Sequence, residues 1–100
     1  PNPKSSAELK AEITARADLI PDDEKVNRIF VNLFDETQID RVLSENLQGF
    51  QYEIVNHFSM TGSYVVEFDS ITAAEEAVTI LNTLEEVNYA EISVKIRLIE

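Results

Sequence analysis

Apolar and polar side chains alternate in four segments of the chain, and this alternation is typical of β-strands. The first segment, residues 26–34, is rich in β-branched and aromatic residues, which favour extended structure. Apolar groups on both faces indicate a central strand. The pattern predicts Ile29, Val31 and Leu33 on one face and Phe30, Asn32 and Phe34 on the other.

The alternation returns over residues 50–60, 63–68 and 92–98, which predicts three further strands. Gly62 can adopt the positive φ of a tight turn, so we expect the second and third strands to form a hairpin. The predicted faces of residues 50–60 are Phe50, Tyr52, Ile54 and Phe58 on one side and Gln51, Glu53, Val55 and His57 on the other.

Near the N-terminus the period changes to that of a helix, predicted over residues 6–18. Ser5 and Glu8 have the spacing of a capping box, and Pro21 prevents the helix from continuing. The apolar stripe needs a partner surface, which we expect to be the sheet, one end of the domain or a neighbouring copy. The stripe consists of Leu9, Ile13, Ala17 and Ile20.

Two more helices are predicted from apolar residues three and four positions apart. The first begins at Asp35, which has the spacing of a capping box with Gln38, and ends before Gly49. The second begins at a capping box of Thr72 and Glu75. The stripes are Ile39, Val42, Leu43 and Leu47 in the first helix and Ala74, Ala77, Val78, Leu81 and Leu84 in the second.

The predicted order after the N-terminal helix is strand, helix, strand, strand, helix, strand. With short connections and right-handed crossovers, this order predicts an α+β fold, a ferredoxin-like βαββαβ sandwich. We expect a four-stranded antiparallel sheet with two helices on one face. Residues 1–25 are then an N-terminal arm with an amphipathic helix, and residues 26–100 are the ferredoxin-like domain.

Composition indicates a folded, acidic protein. The apolar fraction of 44% is too high for a disordered chain despite the net charge of −11. This charge repels phosphates and attracts basic partners, so we expect a basic protein partner or self-association rather than nucleic acid. The chain has no cysteine, and no apolar run approaches the roughly 20 residues that cross a bilayer. We therefore expect no membrane association and a reducing, intracellular location such as the cytoplasm.

Residues 29–33 (Ile-Phe-Val-Asn-Leu) and 61–68 (Thr-Gly-Ser-Tyr-Val-Val-Glu-Phe) are similar to the short hexamer and the octamer of the RNA-recognition motif family. Residues 70–84 resemble its second helix. The resemblance implies a ferredoxin-like domain over residues 26–100, whose open sheet face stacks unpaired bases on rings such as Phe30. The octamer positions that are aromatic in the family are Ser63 and Val65 here. The resemblance therefore supports the fold more than RNA binding.

The candidate functional surface is the open face of the predicted sheet. Exposed aromatic groups are normally covered by a partner or by the same chain, and the N-terminal helix is one possible cover. A cation from the last strand over an aromatic ring would add specificity. The predicted partner-binding residues are Phe30, Asn32, Phe34, Val65, Lys95 and Arg97 in the sheet and Leu9, Ile13 and Ile20 in the helix.

No sequence pattern points to catalysis, a cofactor or a metal. His57 is the only histidine, and without cysteine it cannot form a familiar zinc site. The acidic clusters lack the spacing of a calcium loop. We therefore expect a non-enzymatic protein–protein interaction or assembly module, such as a subunit of a viral or other multi-subunit structure. A divergent single-stranded RNA-binding domain and an acidic mimic of nucleic acid are the alternatives.

Overall fold

Three helices and four strands make up the part of the chain that the computed structural model describes, residues 5–95. They are α1 (Ser6–Ala17), β1 (Lys25–Leu33), α2 (Ile39–Asn46), β2 (Tyr52–Phe58), β3 (Ser63–Phe68), α3 (Ile71–Leu81) and β4 (Val87–Val94). Single 3-10 turns, Asp22–Glu24 and Glu36–Gln38, precede β1 and α2. The predicted α+β class is confirmed. The predicted strand positions after residue 95 lie outside the described residues.

The four strands form one antiparallel sheet in the order β2-β3-β1-β4. β1 and β3 are therefore central, and β2 and β4 are the edges. The connections β1–α2–β2 and β3–α3–β4 each join two strands that have one other strand between them. The face of the sheet opposite α2 and α3 is called the open face below.

The hydrophobic core lies between the sheet and the helices α2 and α3. The predicted inward residues of β1, Ile29, Val31 and Leu33, are all buried there. The small side chains of Ala74 and Ala77 let α3 approach the sheet closely. The remaining buried members of the core are Ile39, Val42, Leu43, Leu47, Val66, Phe68, Leu81, Val87 and Ala90. The helical stripes therefore face inward as predicted.

Helix α1 packs against β4, at one edge of the sheet. Its predicted stripe faces the protein, because Ile13 is buried while Leu9, Ala17 and Ile20 are partly buried. The stripe thus packs within the same chain. β1 begins at Lys25, one residue before the predicted start of the second domain.

Two polar contacts attach α1 to the rest of the fold. The Ser6 hydroxyl donates a hydrogen bond to the carbonyl of Asn88 (2.6 Å). The Lys10 ammonium donates to the carbonyl of Leu84 (2.8 Å), and burial lowers the pKa of this lysine. Asn88 belongs to the outer strand β4, and Leu84 lies three residues before that strand begins. The helix therefore occupies one hydrogen-bonding position that the edge strand would otherwise present to solvent.

The starts of α1 and α2 illustrate one confirmed and one wrong prediction. Ser5 caps α1, because its hydroxyl accepts the backbone N–H of Glu8 (3.2 Å). Asp35 accepts the N–H of Thr37 (3.1 Å) and caps the 3-10 turn, so the predicted capping box with Gln38 does not form. The hydrogen bonds from Thr37 hold the pKa of the Asp35 carboxyl below its usual range.

The last helix and the last strand both begin earlier than predicted. Ser70, not Thr72, caps α3 by accepting the N–H of Ala73 (3.0 Å). β4 begins at Val87, five residues before the predicted segment 92–98. A register irregularity between Val87 and Tyr89 interrupts the alternation only at the start of β4, whereas residues 89–92 pair regularly with β1.

A bulge reverses the predicted faces in the second half of β2. The pairing with β3 contains one extra residue, Val55. Because side chains alternate at every position, one extra residue turns all later side chains to the opposite face. Phe58 therefore lies on the open face, and His57 lies on the side of the helices. The predicted faces of these two residues were wrong.

Lys25 connects the start of β1 to α3 through an ion pair. Its side chain is only 8% exposed and forms ion pairs with Glu75 (2.7 Å) and Asp22 (3.3 Å). The hydrogen bond to Glu75 is the main cause that raises the pKa of Lys25, with a smaller contribution from Asp22, while burial opposes the shift. This corner is where the chain passes from the α1 segment into the sheet.

Candidate functional site

Rings from three strands meet on the open face. Phe30 of β1 and Phe58 of β2 have ring centroids 6.5 Å apart. Together with Tyr89 of β4 and Met60 of the hairpin turn, they line a shallow concavity of about 560 Å³. Phe58 is 45% exposed and Met60 is fully exposed. These four residues are called the aromatic patch, and it is open to solvent.

Small side chains of β3 allow the two phenylalanine rings to approach each other. Phe58 pairs with Ser63 and Phe30 pairs with Val65 in the sheet register. The backbones of β1 and β2 are two strand spacings apart, about 9.6 Å, so the rings must lean over β3. Ser63 and Val65 are both buried beneath them. Val65, a predicted binding residue, therefore supports the patch from below.

The side chain of Asn32, another predicted binding residue, connects β1 to the hairpin turn, to β3 and to β4. Its amide donates hydrogen bonds to the carbonyl of Thr61 (2.8 Å) and the hydroxyl of Ser63 (3.0 Å). Its amide oxygen accepts a hydrogen bond from the side chain of Asn88 (2.9 Å). Asn32 is almost fully buried. It positions the hairpin turn beside the aromatic patch, and its hydrogen bonds are made within the protein.

Carboxylates border the aromatic patch. Arg28 pairs with Glu67 (2.7 Å), and Glu53 lies directly across from Glu67 in the sheet register. Glu91 lies opposite Phe30, on the other side from β3, and its ion pair with Arg16 is long at 3.9 Å. Glu53, Glu67 and Glu91 are called the acidic margin. Both arginines beside the margin already have carboxylate partners.

A second concavity of about 620 Å³ lies where the end of α1 meets β4. Phe30 lines it together with Ile13, Leu19 and Ile20, so the predicted helix residues Ile13 and Ile20 reach the same surface as the predicted ring. Leu9 lies one turn nearer the start of α1 and does not line this concavity. The concavity is open, because Leu19 is 82% exposed.

Two predicted sheet residues, Phe34 and Lys95, are not part of this surface. Phe34 follows β1, is 65% exposed and lines neither concavity. Lys95 lies four residues after Glu91, which is the residue opposite Phe30. The backbone N–H of Lys95 donates a hydrogen bond to the carbonyl of Glu24 (2.8 Å). Four residues of strand span about 13 Å, which separates this lysine from the rings. Arg97 lies outside the described residues.

His57 also lines the concavity of the aromatic patch, and its ring belongs to a second cluster on the side of the helices. Its ring stacks on Tyr64 with centroids 4.2 Å apart and planes 7° apart, and its Nε2 lies 2.8 Å from the Glu36 carboxylate. The Tyr64 hydroxyl donates to the backbone carbonyl of Glu36 (3.2 Å). Burial, followed by the nearby Glu36 and Asp40 carboxylates, raises the pKa of Tyr64. The cluster connects the hairpin to the turn before α2.

The sequence predictions missed Phe58, Met60 and Tyr89. Alternation extended backwards from Ile92 would have put Tyr89 on the open face, so this residue had a detectable signal. Phe58 had none, because its direction depends on the bulge at Val55. A turn residue such as Met60 has no periodic pattern that assigns it to a face.

Within residues 5–95, no group of three or more His, Asp or Glu side chains is arranged to hold a metal ion. In the same part of the chain, no helix is both long enough and apolar enough to span a bilayer. Comparisons with known proteins gave no family model, no curated protein and no solved structure that matches this chain significantly.

Proposed function

We propose that this chain is a non-enzymatic protein-interaction module whose aromatic patch binds a basic protein partner. The observation behind the proposal is the patch itself, where the exposed Phe58 and Met60 and the partly buried Phe30 and Tyr89 line one concavity on the face that α2 and α3 leave uncovered. Contiguous exposed apolar surface marks interaction sites, and aromatic and methionine side chains are enriched at interfaces. A subunit of a larger structural assembly, viral or cellular, is the setting we propose.

We also infer that the sandwich is ferredoxin-like. Each of the two β–α–β units leaves room between its strands for one strand of the other unit, which is the split arrangement of that fold. The similarity of residues 29–33 and 61–68 to the RNA-recognition motif family is in keeping with this inference and stays a prediction.

The charge distribution supports a basic partner. The chain has a net charge of −11, and the acidic margin lies next to the aromatic patch. Three cations of the described residues are engaged elsewhere: Lys25 and Arg41 have carboxylate partners, and Lys10 bonds a carbonyl. Such a field attracts basic surfaces and speeds their association.

Single-stranded RNA is the second candidate, because three rings on one sheet face can stack bases. The phosphates of a bound strand would meet the three carboxylates of the acidic margin, and Arg28, one of the two arginines beside them, is held by Glu67 at 2.7 Å. RNA binding relies on releasing counterions from phosphates and on unpaired cations to replace them. The observed charges therefore favour the protein partner.

The test is affinity capture followed by purified binding. Wild-type protein, Phe30→Ala/Phe58→Ala and the control Phe34→Ala are used as baits, since Phe34 is exposed but lines neither concavity. Proteins retained by wild type and by the control are then purified and titrated calorimetrically against all three baits at low and high salt. A labelled single-stranded RNA of mixed sequence is titrated in parallel.

We expect a basic protein whose affinity falls at least about tenfold with the double variant, a loss of about 1.4 kcal/mol, and falls also with salt. The Phe34→Ala control should bind like wild type. A partner that binds the double variant equally well would refute the proposal. RNA binding that disappears with the double variant, without any protein partner, would favour the second candidate instead.

A further inference from the structure

Phe30 separates two concavities that open on the same side of the protein. One lies above the aromatic patch, and the other lies between β4 and the end of α1, where Leu19 and Ile20 line it. Apolar surface therefore extends from α1 across the strands to Phe58 on β2. An occupant that fills only the aromatic patch would leave Leu19 exposed.

The edges of the sheet are poorly suited to an added strand. At β4, the hydrogen bonds of Ser6 and Lys10 hold α1 against the edge. At β2, the extra residue Val55 interrupts the regular spacing of backbone groups that a new strand would need. A partner segment is therefore expected to use side chains over the open face rather than backbone pairing.

One helix can reach both concavities. Phe30 lines both of them, so they are adjacent on the surface of the protein. Residues i and i+7 of a helix lie on the same side and about 10.5 Å apart. Helices commonly bind apolar grooves through side chains with this spacing.

Glu91 offers a bound helix a charged contact in addition to the apolar contacts in the two concavities. It lines the second concavity and lies opposite Phe30 in the sheet. Its partner Arg16 is 3.9 Å away and well exposed, so the ion pair is weakly held. A lysine or arginine of the partner can approach the same carboxylate.

We propose that the partner segment is a basic amphipathic helix that crosses the strands. It places one apolar side chain in each concavity, on either side of Phe30, and directs a cationic side chain to the acidic margin. This inference rests on the proposed function, because the aromatic patch is one of the two anchor points.

Designed peptides can test the inference without knowledge of the natural partner. The probe is a leucine–lysine peptide with one apolar stripe at helical spacing. One control has the same composition with the leucines shuffled, and another replaces every lysine with glutamate. Each peptide is titrated into isotope-labelled protein and followed by NMR, using wild type, Phe58→Ala and Leu19→Ser. Leu19 is suited to substitution because it is 82% exposed.

We expect the leucine–lysine helix to shift the amides of residues 19–20 and 58–60 together. Each variant should weaken binding about fivefold or more, and the two control peptides should bind at least about tenfold more weakly. Shifts confined to residues 58–60 and unaffected by Leu19→Ser would overturn the two-anchor helix while leaving the proposed function intact. Equal binding of the shuffled peptide would also overturn it. If no peptide shifts either concavity, the helix is rejected, and the capture experiment decides separately on the proposed function.

Discussion

The two edges of the sheet differ in how they are protected. The β4 edge is covered by α1, which contributes the buried Ile13 and the hydrogen bonds of Ser6 and Lys10. The β2 edge has no such cover among the described residues, and residues 55–60 are all exposed. Unprotected edges promote pairing between molecules, and a bulge is one way to discourage it. The chain therefore uses a helix at one edge and an irregular backbone at the other, which leaves the open face between them accessible.

Detaching α1 from the β4 edge is expected to have the largest effect on stability and on the oligomeric state. Ile13→Asp places a carboxylate at the contact between α1 and β4. Losing a buried isoleucine contact should lower the free energy of unfolding by about 3 kcal/mol, measured by urea denaturation. Once α1 detaches, the exposed edge can pair with another molecule, so light scattering should detect dimers or larger species.

Leu19→Asp is the matched control, because it introduces the same charge at a side chain that is 82% exposed. Its free energy of unfolding should change by less than about 0.5 kcal/mol. If Ile13→Asp stays monomeric and as stable as this control, α1 does not protect the β4 edge.

Removing the bulge at the other edge is expected to have a smaller effect. Deletion of Val55 makes Ile54 and Asn56 neighbours, and these residues already pair with the neighbouring Val66 and Val65, so the remaining side chains of β2 keep their faces. We therefore expect the free energy of unfolding to change by only about 1 kcal/mol. The regular edge can pair with another molecule, so light scattering should detect dimers of the deletion variant but not of Val55→Ala, which retains the extra backbone residue. A deletion variant that stays monomeric would show that the bulge does not protect the β2 edge.

The smallest effect is expected at the corner where the α1 segment enters β1. Because the pKa of Lys25 is raised, mainly by its hydrogen bond to Glu75, the folded state binds this proton more tightly than the unfolded state. The stabilisation is complete below the ordinary pKa of 10.5 and is lost as the pH rises through the folded-state value. Lys25→Met should therefore lower the free energy of unfolding by about 1 kcal/mol near neutral pH.

Urea titrations of wild type and Lys25→Met, from neutral pH to above 10.5, measure this difference. We expect the two proteins to converge at the alkaline end. Ionisation of Tyr64 occurs in both, so subtraction removes its contribution. A difference that stays constant across this pH range would show that the Lys25 charge does not stabilise the corner.

Features determined by neighbouring residues were predictable from the sequence. The Ser5 cap, the inward positions of Ile29 and Val31 and the positive φ of Gly62 all follow from local sterics and periodicity. The α+β class followed because such local signals were consistent along the chain.

Features determined by strand pairing were not predictable. The bulge at Val55 depends on the register between β2 and β3, and it alone brings Phe58 to the side of Phe30. The location of α1 at the β4 edge likewise depends on which strand is outermost, so the sequence indicated a stripe without indicating its partner. The candidate site was therefore predicted in part, through Phe30, Asn32, Val65, Ile13 and Ile20.

Fluorine NMR of labelled phenylalanines tests most directly whether the open face is the binding surface. The chain has five phenylalanines, which can be replaced by 4-fluorophenylalanine and assigned by single substitutions. Phe30 and Phe58 lie on the open face, Phe50 packs edge-to-face on Phe68 in the core region, and Phe34 lies apart. On titration with the captured partner, the resonances of Phe30 and Phe58 should shift to saturation while the other three stay in place. Saturable binding that leaves Phe30 and Phe58 unchanged would contradict the account.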